Sequence, residues 1–178
     1  MTTLLLARHG ETDWNREGRW QGWADPPLNE TGRAQARILS VQLAATPFDA
    51  VYSSDLQRAR ETAEIVAAPH GLPVIVDRGL REIDVGSWSG LTRAEIAERF
   101  PDGGRPDGET HEQLAARVRV AVTRIARAHP GGRVLLVGHG GTIRSIHDVV
   151  SELPYHPVPN CHVLEVQFRD DRLVAPIG

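Results

Sequence analysis

The sequence predicts an α/β fold, a three-layer sandwich whose mostly parallel, open sheet has an antiparallel edge and helices on both faces. Short runs rich in Leu and Val at residues 3–7 and 133–137 suit strands that are buried on two sides. Helical patterns separate such runs along the chain, as in folds with parallel strands. Near the end, two extended segments flank Arg169-Asp170-Asp171-Arg172, which indicates a hairpin and therefore an antiparallel edge.

Each element follows from a local pattern. Strands are predicted at residues 3–7, 50–52, 73–76, 133–137, 163–168 and 173–175. Helices are predicted at residues 30–43, 57–67, 112–128 and 142–150, the first of them after Asn29 as its N-cap. Within residues 112–128, Leu114, Val118, Val122 and Ile125 recur at three- and four-residue spacing, so one stripe of this helix is expected to face the sheet.

The length of 178 residues fits a single domain over residues 1–178. A chain of this size can bury about 70% of its unfolded surface without any covalent staple. A short insert at about residues 91–110 is expected to influence specificity. Its second half, residues 100–109, is rich in Pro and Gly and is predicted to lack regular structure.

Composition narrows the partners and the compartment. The net charge of −3 gives no basic field for nucleic acid, and no apolar run reaches membrane-spanning length. The single cysteine, Cys161, excludes an internal disulfide framework and is compatible with a reducing compartment. We therefore expect a cytoplasmic protein with no nucleic-acid or membrane partner, whose oligomeric state the sequence leaves unknown.

Two histidines follow predicted strands directly, His9 in Arg8-His9-Gly10 and His139 in Gly138-His139-Gly140-Gly141. Ligands of open α/β sheets bind beyond the carboxyl ends of the strands, so the two imidazoles are expected to converge. Arg58 lies in the first turn of a predicted helix, and helix N-termini attract anions. At the start of another helix, Gly140 leaves the backbone open to close approach. Phosphate is the anion that best uses these groups.

These residues predict phosphoryl transfer in which His9 attacks. A nucleophilic imidazole must be neutral, and burial and neighbouring arginines both lower its pKa. Its other ring nitrogen needs an acceptor, most simply a backbone carbonyl. The leaving alkoxide needs a proton, for which the loop at residues 80–90 offers Glu82 and Asp84. The residues alone do not choose between these two acids.

Several motifs occur in order along the chain. They are Arg8-His9-Gly10 with Asn15, Gln21-Gly22-Trp23, Pro27-Leu28-Asn29-Glu30-Thr31-Gly32, Ser53-Ser54-Asp55-Leu56 with Arg58-Ala59 and Thr62-Ala63, Glu82 before Gly86, and Gly138-His139-Gly140-Gly141. This combination resembles the histidine phosphatase superfamily, in its phosphoglycerate-mutase-like branch and of the small phosphatase type. The resemblance extends from the first strand to about Arg144, and a weaker match follows at Asn160-Cys161-His162.

The resemblance implies a role for each matching position. His9 would become phosphohistidine and Glu82 would donate the proton. The phosphoryl group would be bound by Arg8, Arg58, His139 and Asn15. Gln21 and Gly22 match a substrate-side loop, and Gly140 is assigned to the same side. No metal and no organic cofactor are implied.

Hydrolysis is predicted over mutase activity. The cofactor-dependent mutases that this chain resembles carry a longer insert after the Glu82 loop, with paired arginines and a lysine-containing segment. Here residues 91–109 form a short insert that lacks those motifs. Gly108-Glu109-Thr110, followed by Leu114 and Arg117, instead resembles the Gly-Glu-Ser block of small phosphatases. The predicted activity is that of a metal-independent phosphomonoesterase on a small phosphorylated metabolite, either a sugar phosphate or a compound of the phosphoglycerate type. A cofactor-dependent phosphoglycerate mutase and a catalytically silent phospholigand-binding protein stay open as alternatives.

The insert leaves its own alternatives open. Ile96 and Phe100 could line an apolar edge of the pocket, and Arg93, Arg99 or Arg105 could meet a second anionic group. The tryptophans near the motif loops are expected to anchor those loops by packing more than to stack on a ligand.

Overall fold

The computed structural model describes residues 1–176, so residues 177 and 178 of the predicted domain lie outside it. Six strands form one sheet in the order β3-β2-β4-β1-β5-β6. The strands are β1 (Thr2–Arg8), β2 (Ala50–Ser53), β3 (Val74–Val76), β4 (Arg133–Gly138), β5 (Val163–Arg169) and β6 (Arg172–Val174). The α-helices are α1 (Asp13–Arg16), α2 (Glu30–Leu43), α3 (Gln57–Ala67), α4 (Arg93–Arg99), α5 (His111–Ala128) and α6 (Gly140–Val150).

The sheet has the predicted mixture of strand directions. Strands β3, β2, β4 and β1 run parallel, and β5 and β6 add an antiparallel edge beside β1. In the β1–β4 register, Arg8 lies opposite Gly138. His9 and His139 therefore follow these two strands at the same end of the sheet, the end where the parallel strands finish. The predicted fold class is therefore confirmed, and the parallel pairing brings the two histidine motifs together.

Helices cover both faces of the sheet because the central strands alternate between two apolar cores. On one face, Leu5 and Leu135 belong to a core that includes residues of α2 and α3. On the other face, Leu4 and Leu136 belong to a core that includes residues of α5 and α6. The stripe predicted on α5 is buried on this second face. Both faces being apolar explains why the strands read as continuous hydrophobic runs.

The predicted strand and helix boundaries agree with the structure to within one residue, apart from the start of α6, which lies two residues earlier. Helix α5 begins at His111 and α6 at Gly140, slightly before the predicted residues 112 and 142. The short helices α1 and α4 were not predicted. Thr12 and Thr92 start them through capping boxes, in which each threonine exchanges hydrogen bonds with the residue three positions later. Helices this short carry too few apolar residues to show a period.

The antiparallel edge turns at two aspartates. Asp170 and Asp171 have φ values of 50° and 62°, the left-handed conformation that a two-residue hairpin of this hand requires. Strand β6 ends at Val174, one residue before the predicted end. Residues 100–109 contain no helix or strand, as predicted. In the described part of the chain, no helix has the length and apolarity that crossing a membrane requires.

Candidate active site

A cleft of about 960 Å³ opens beside the carboxyl ends of β1 and β4. It brings together eight of the nine residues that the sequence assigned to the site. They are Arg8, His9, Asn15, Gln21, Gly22, Arg58, Glu82 and Gly140. The ninth, His139, is not among the residues that line the cleft, and it is fully buried. Residues from six separate segments of the chain therefore converge, and they include the two histidine motifs for which convergence at the strand ends was predicted.

His9 is held in one orientation by main-chain groups. Its amide donates to the Gly138 carbonyl at 3.0 Å, and its ring Nδ1 lies 2.6 Å from the Gly10 carbonyl oxygen. A carbonyl can only accept, so the neutral ring carries its proton on Nδ1 and has an unprotonated Nε2. This arrangement matches the expectation that a backbone carbonyl holds the second ring nitrogen. It leaves Nε2 as the nitrogen with a free lone pair.

The surroundings of His9 keep its ring neutral. Burial lowers the pKa of His9 well below 6.5, and the charges of Arg58 and Arg8 lower it further, against a smaller opposite effect of the Gly10 hydrogen bond. A low pKa preserves the lone pair of Nε2 at neutral pH. The site therefore meets the electronic requirement for a nucleophilic imidazole.

His139 is the N-cap residue of α6 and stands edge-on to His9, with the two ring centroids 5.2 Å apart. Neither of its ring nitrogens has a hydrogen-bond partner within residues 1–176. Burial, Arg58 and His9 lower the pKa of His139 well below 6.5. A fully buried imidazole without partners is unusual, because polar atoms in an interior are normally hydrogen-bonded. Such groups indicate a ligand-binding function more than a contribution to stability.

Two arginines bring positive charge to the same place. Arg58 is fully buried, and its two terminal nitrogens donate to the carbonyls of Ala24 and Gly22 at 2.7 and 2.8 Å. Arg8 donates to the Val158 carbonyl at 2.5 Å. In the described structure, the Nε of each guanidinium is buried without a partner. These unpaired donors, like those of His139, favour an anionic ligand in the cleft.

Both guanidinium groups remain cations despite their burial. Desolvation lowers the pKa of Arg58 to about 10, with Glu82 opposing that effect. Desolvation also lowers the pKa of Arg8, again against the influence of Glu82. A pKa of about 10 still leaves Arg58 protonated at neutral pH. Two desolvated cations around a neutral histidine suit a substrate that carries at least one negative charge.

The structure separates the two acids that the sequence left undecided. Glu82 lines the cleft, and its carboxylate accepts from the Ile83 amide at 2.8 Å and the Gly141 amide at 3.2 Å. Asp84 does not line the cleft, and its carboxylate caps the next turn by accepting from the Gly86 amide at 2.9 Å. Glu82 is therefore the acid placed to exchange a proton with a ligand in the cleft.

The remaining predicted residues shape the entrance. The Oδ1 of Asn15 accepts from the Thr12 amide at 3.1 Å, which fixes Asn15 in the first turn after β1. The Oε1 of Gln21 is buried with no partner in the described part of the chain. Gly22 has a φ of 51°, and a Cβ there would lie 2.5 Å from Val85, so the turn requires glycine. Its carbonyl is the one that Arg58 binds.

Two further residues, which the sequence motifs include without a role, support the site. The Thr62 hydroxyl accepts from the Gly10 amide at 3.1 Å and donates to the Arg58 carbonyl at 2.8 Å. The Asn160 side-chain amide donates to the His9 carbonyl at 2.9 Å. Thr62 belongs to the Thr62-Ala63 pair of the motif set, where no role had been assigned to it. Asn160 belongs to the weaker match before β5, where its role had not been assigned.

The outer part of the cleft decides among the alternatives in the insert. Arg93 lines the cleft, whereas Arg99 and Arg105 do not, and Arg105 lies over the Trp88 ring instead. Ile96 and Phe100 are also absent from the lining. Trp20 packs edge-to-face on Trp88 at 5.6 Å between ring centroids, as a loop anchor does, and Trp14 and Trp20 also line the cleft.

The low pKa values of His9 and His139 predict acid sensitivity of the fold. Below pH 6.5 the unfolded chain protonates both imidazoles while the folded protein keeps them neutral, so unfolding takes up protons. The contribution of these two histidines to the free energy of unfolding is therefore fully present above pH 6.5. It should fall by about 1.4 kcal/mol per pH unit for each histidine as the pH drops toward their folded pKa values.

Urea unfolding at several pH values in phosphate-free buffer measures this effect. The variant His139→Asn removes one of the two groups, so its stability should fall less steeply below pH 6.5, by about 1.4 kcal/mol per pH unit. The matched control, His156→Asn, changes an exposed histidine and should keep the wild-type slope. Equal slopes in all three proteins would contradict the lowered pKa of His139.

Comparisons with known proteins identify the family of the chain. The family model of the histidine phosphatase superfamily (branch 1) matches residues 4–175. The chain therefore belongs to the histidine phosphatase superfamily, which confirms the family resemblance of its motifs.

Named relatives include both phosphatases and mutases. A metal-independent phosphoserine phosphatase of Arabidopsis thaliana is 40% identical, with 98% of this chain and 79% of the relative aligned. A probable phosphoglycerate mutase GpmB of Photorhabdus laumondii is 34% identical, with 98% and 89% aligned. Among solved structures, a mycobacterial glucosyl-3-phosphoglycerate phosphatase in complex with VO3 has a TM-score of 0.87, 32% identity and 96% coverage of both chains.

Proposed function

We propose that this protein is a metal-independent phosphomonoesterase that acts on a small phosphorylated metabolite through a phosphohistidine intermediate. One observation carries the proposal: His9 has Nδ1 engaged by a carbonyl and a lowered pKa, and it stands beside buried donors of Arg8, Arg58 and His139 that have no other partner in residues 1–176. A neutral nucleophile beside unpaired donors, of which the two arginines are cationic, is what attack on a phosphoryl group requires.

In the first step, Nε2 of His9 attacks phosphorus while the bond from phosphorus to the leaving oxygen breaks. The protonated carboxyl of Glu82 transfers its proton to that oxygen, so the product leaves as a neutral alcohol. Arg8, Arg58 and His139 donate to the phosphoryl oxygens and stabilise the charge that spreads over them in the transition state. Asn15 extends this set from the first turn after β1.

In the second step, a water molecule attacks phosphorus and the P–N bond breaks. Glu82, now a carboxylate, takes a proton from that water, which returns the acid to its starting state. Inorganic phosphate leaves and His9 is regenerated. Gln21, Gly22 and Gly140 would contact the rest of the substrate at the entrance.

The cleft and the relatives both support a small metabolite as substrate. A volume of about 960 Å³ exceeds what a phosphate group alone fills, and Arg93 lies on the outer lining. A second charged or polar group on the substrate can therefore be accommodated. The relatives named above act, by their names, on phosphoserine and on glucosyl-3-phosphoglycerate. We further propose a cytoplasmic location, which the single cysteine favours.

A mutase is the second candidate, because several relatives are named probable phosphoglycerate mutases. The two activities differ in what accepts the phosphoryl group from His9. Water accepts it in a phosphatase, whereas a hydroxyl of a bound phosphoacid accepts it in a mutase. The insert argues for water, since Arg93 is its only arginine on the cleft lining described here.

Two measurements test the proposal. Phosphate release is followed for a panel of phosphosugars, phosphoglycerates, phosphoserine and nucleotides in the presence of EDTA, alongside isomerisation of 3-phosphoglycerate. Phosphate release that is unaffected by EDTA and faster than isomerisation supports the phosphatase. A rapid quench in alkali, where P–N bonds survive, should then trap labelled phosphate on the protein. Isomerisation that outpaces release would favour the mutase, and absence of any turnover would favour the binding protein.

A further inference from the structure

Arg117 on α5 connects the Glu82 loop to the rest of the fold. Its Nε and one terminal nitrogen form a bidentate ion pair with Glu109, at 2.8 and 2.6 Å. The same guanidinium also donates to three main-chain carbonyls of the loop, each at 3.1 Å, those of Gly79, Arg81 and Glu82. All five donors of one arginine are thus directed at the segment that carries the acid and at the carboxylate beside it.

Glu109 binds the same loop from its other side. Its carboxylate accepts from the Asp84 amide at 3.1 Å, and its own amide donates to the Asp84 carbonyl at 2.9 Å. Burial alone would raise the pKa of Glu109, but the hydrogen bonds from Arg117 and the Asp84 amide outweigh it and lower the pKa. The carboxylate therefore stays ionised and keeps Arg117 in its bidentate orientation.

The main chain of Glu82 receives two side-chain donors and its carboxylate receives two amides. The Glu82 carbonyl accepts from Arg117 at 3.1 Å and from the Trp23 indole at 2.8 Å. The carboxylate is limited on its far side by Gly141, where an added Cβ would lie 2.2 Å from a Glu82 oxygen. Because the Glu82 carboxyl is confined by these amides and by Gly141, its position in the cleft depends on the position of the Glu82 main chain.

We propose that Arg117 is a positioning residue for proton transfer, fixing the main chain of Glu82 so that its carboxyl reaches the leaving oxygen, with Glu109 orienting Arg117. Arg117 does not line the cleft, so it acts through Glu82 and not on the substrate. This inference rests on the proposed function, in which Glu82 protonates the leaving group. It assigns a function to the Glu109 and Arg117 positions that the sequence motif only marked.

The chemistry of the leaving group separates this role from a purely structural one. An alkoxide is too basic to leave without a proton, whereas p-nitrophenolate is a stable anion at neutral pH and leaves unaided. A misplaced acid should therefore slow the cleavage of alkyl phosphates and spare p-nitrophenyl phosphate. A generally disturbed fold would slow both. The parameter compared is kcat/KM, because it ends with phosphorylation of His9 and excludes the hydrolytic step that both substrates share.

The experiment compares Arg117→Met with Glu82→Gln and with a matched control, Arg127→Met. Arg127 lies on the same helix and pairs with a carboxylate, Asp171, but it is exposed and remote from the loop. For Arg117→Met, kcat/KM on glycerol 3-phosphate, or on the most active alkyl phosphate of the panel, should fall about 10- to 100-fold. The value on p-nitrophenyl phosphate should stay within about threefold. Arg127→Met should match the wild type on both substrates.

Glu82→Gln distinguishes failure of this inference from failure of the proposed function. If Glu82→Gln shows the selective loss and Arg117→Met slows both substrates equally, Arg117 is only structural and the proposed acid stands. If Glu82→Gln itself affects both substrates equally, the proposed acid is wrong and the inference falls with it. Should Arg117→Met fail to fold, Glu109→Gln provides the second test, with a smaller loss expected again only on the alkyl phosphate.

Discussion

Replacing His9 by alanine is expected to lower kcat/KM for phosphate release by roughly 10⁴-fold or more, because the variant lacks the nitrogen that accepts the phosphoryl group. The Gly10 carbonyl engages Nδ1, so Nε2 is the nitrogen available for attack. Stopped-time phosphate assays give the rate, and an alkaline quench with labelled substrate reports the covalent intermediate. The label should be absent from His9→Ala.

His139→Asn is the matched control for this prediction. His139 is equally buried and its ring lies 5.2 Å from that of His9, but it is assigned to binding and not to attack. Asparagine keeps one amide donor, so phosphate release should fall by about 10²-fold while labelled phosphate still accumulates on His9. Label retained in His9→Ala, or lost only in His139→Asn, would show that the nucleophile has been assigned to the wrong histidine.

Arg58→Met is expected to lower kcat/KM by roughly 10²- to 10³-fold, since a preorganised donor to the transition-state charge is removed. The guanidinium is fully buried and has an unpaired Nε, so its interaction with a phosphoryl oxygen is not weakened by water. Arg58→Lys should also be impaired by about 10²-fold or more. One ammonium cannot hold the Gly22 and Ala24 carbonyls and reach the substrate as well.

Protection by inorganic phosphate checks the binding part of this prediction. A ligand that binds only the folded state stabilises it by about 2.7 kcal/mol at a concentration of 100 times its Kd. Phosphate should therefore raise the unfolding temperature of the wild type and leave that of Arg58→Met nearly unchanged. If Arg58→Met keeps both its activity and its stabilisation by phosphate, Arg58 has only a structural role, in which it connects α3 to the loop at residues 22–24 by hydrogen bonds.

The central strands could be predicted from the sequence because β1 and β4 are buried on both faces. Such strands are continuous apolar runs, and the residues that follow them are the glycines and histidines of the site motifs. The β5–β6 hairpin could also be predicted from the sequence, since two adjacent aspartates form its turn with positive φ. Local patterns of this kind survive in a single sequence, because each depends on neighbours within a few positions.

Other features depended on partners far away along the chain. Thr62 lies 52 positions from the Gly10 amide that it accepts from, and Asn160 lies 151 positions from the His9 carbonyl to which it donates. The motifs that contain these two residues mark their positions, but no local pattern shows which distant group each of them binds. The choice of Glu82 over Asp84 was likewise made by position, since the two acids are two residues apart and only one of them lines the cleft.

By itself, the sequence determined the fold class, the family and the residue types of the site, because burial of strands and the order of motifs are properties of neighbouring positions. The tertiary structure alone decided which groups are left without partners, as the unpaired nitrogens of Arg8, Arg58 and His139 are. It also decided that Arg117 and Glu109 hold the acid loop. Both depend on hydrogen bonds between distant segments, whose geometry exists only once the sheet and its two helical layers have packed.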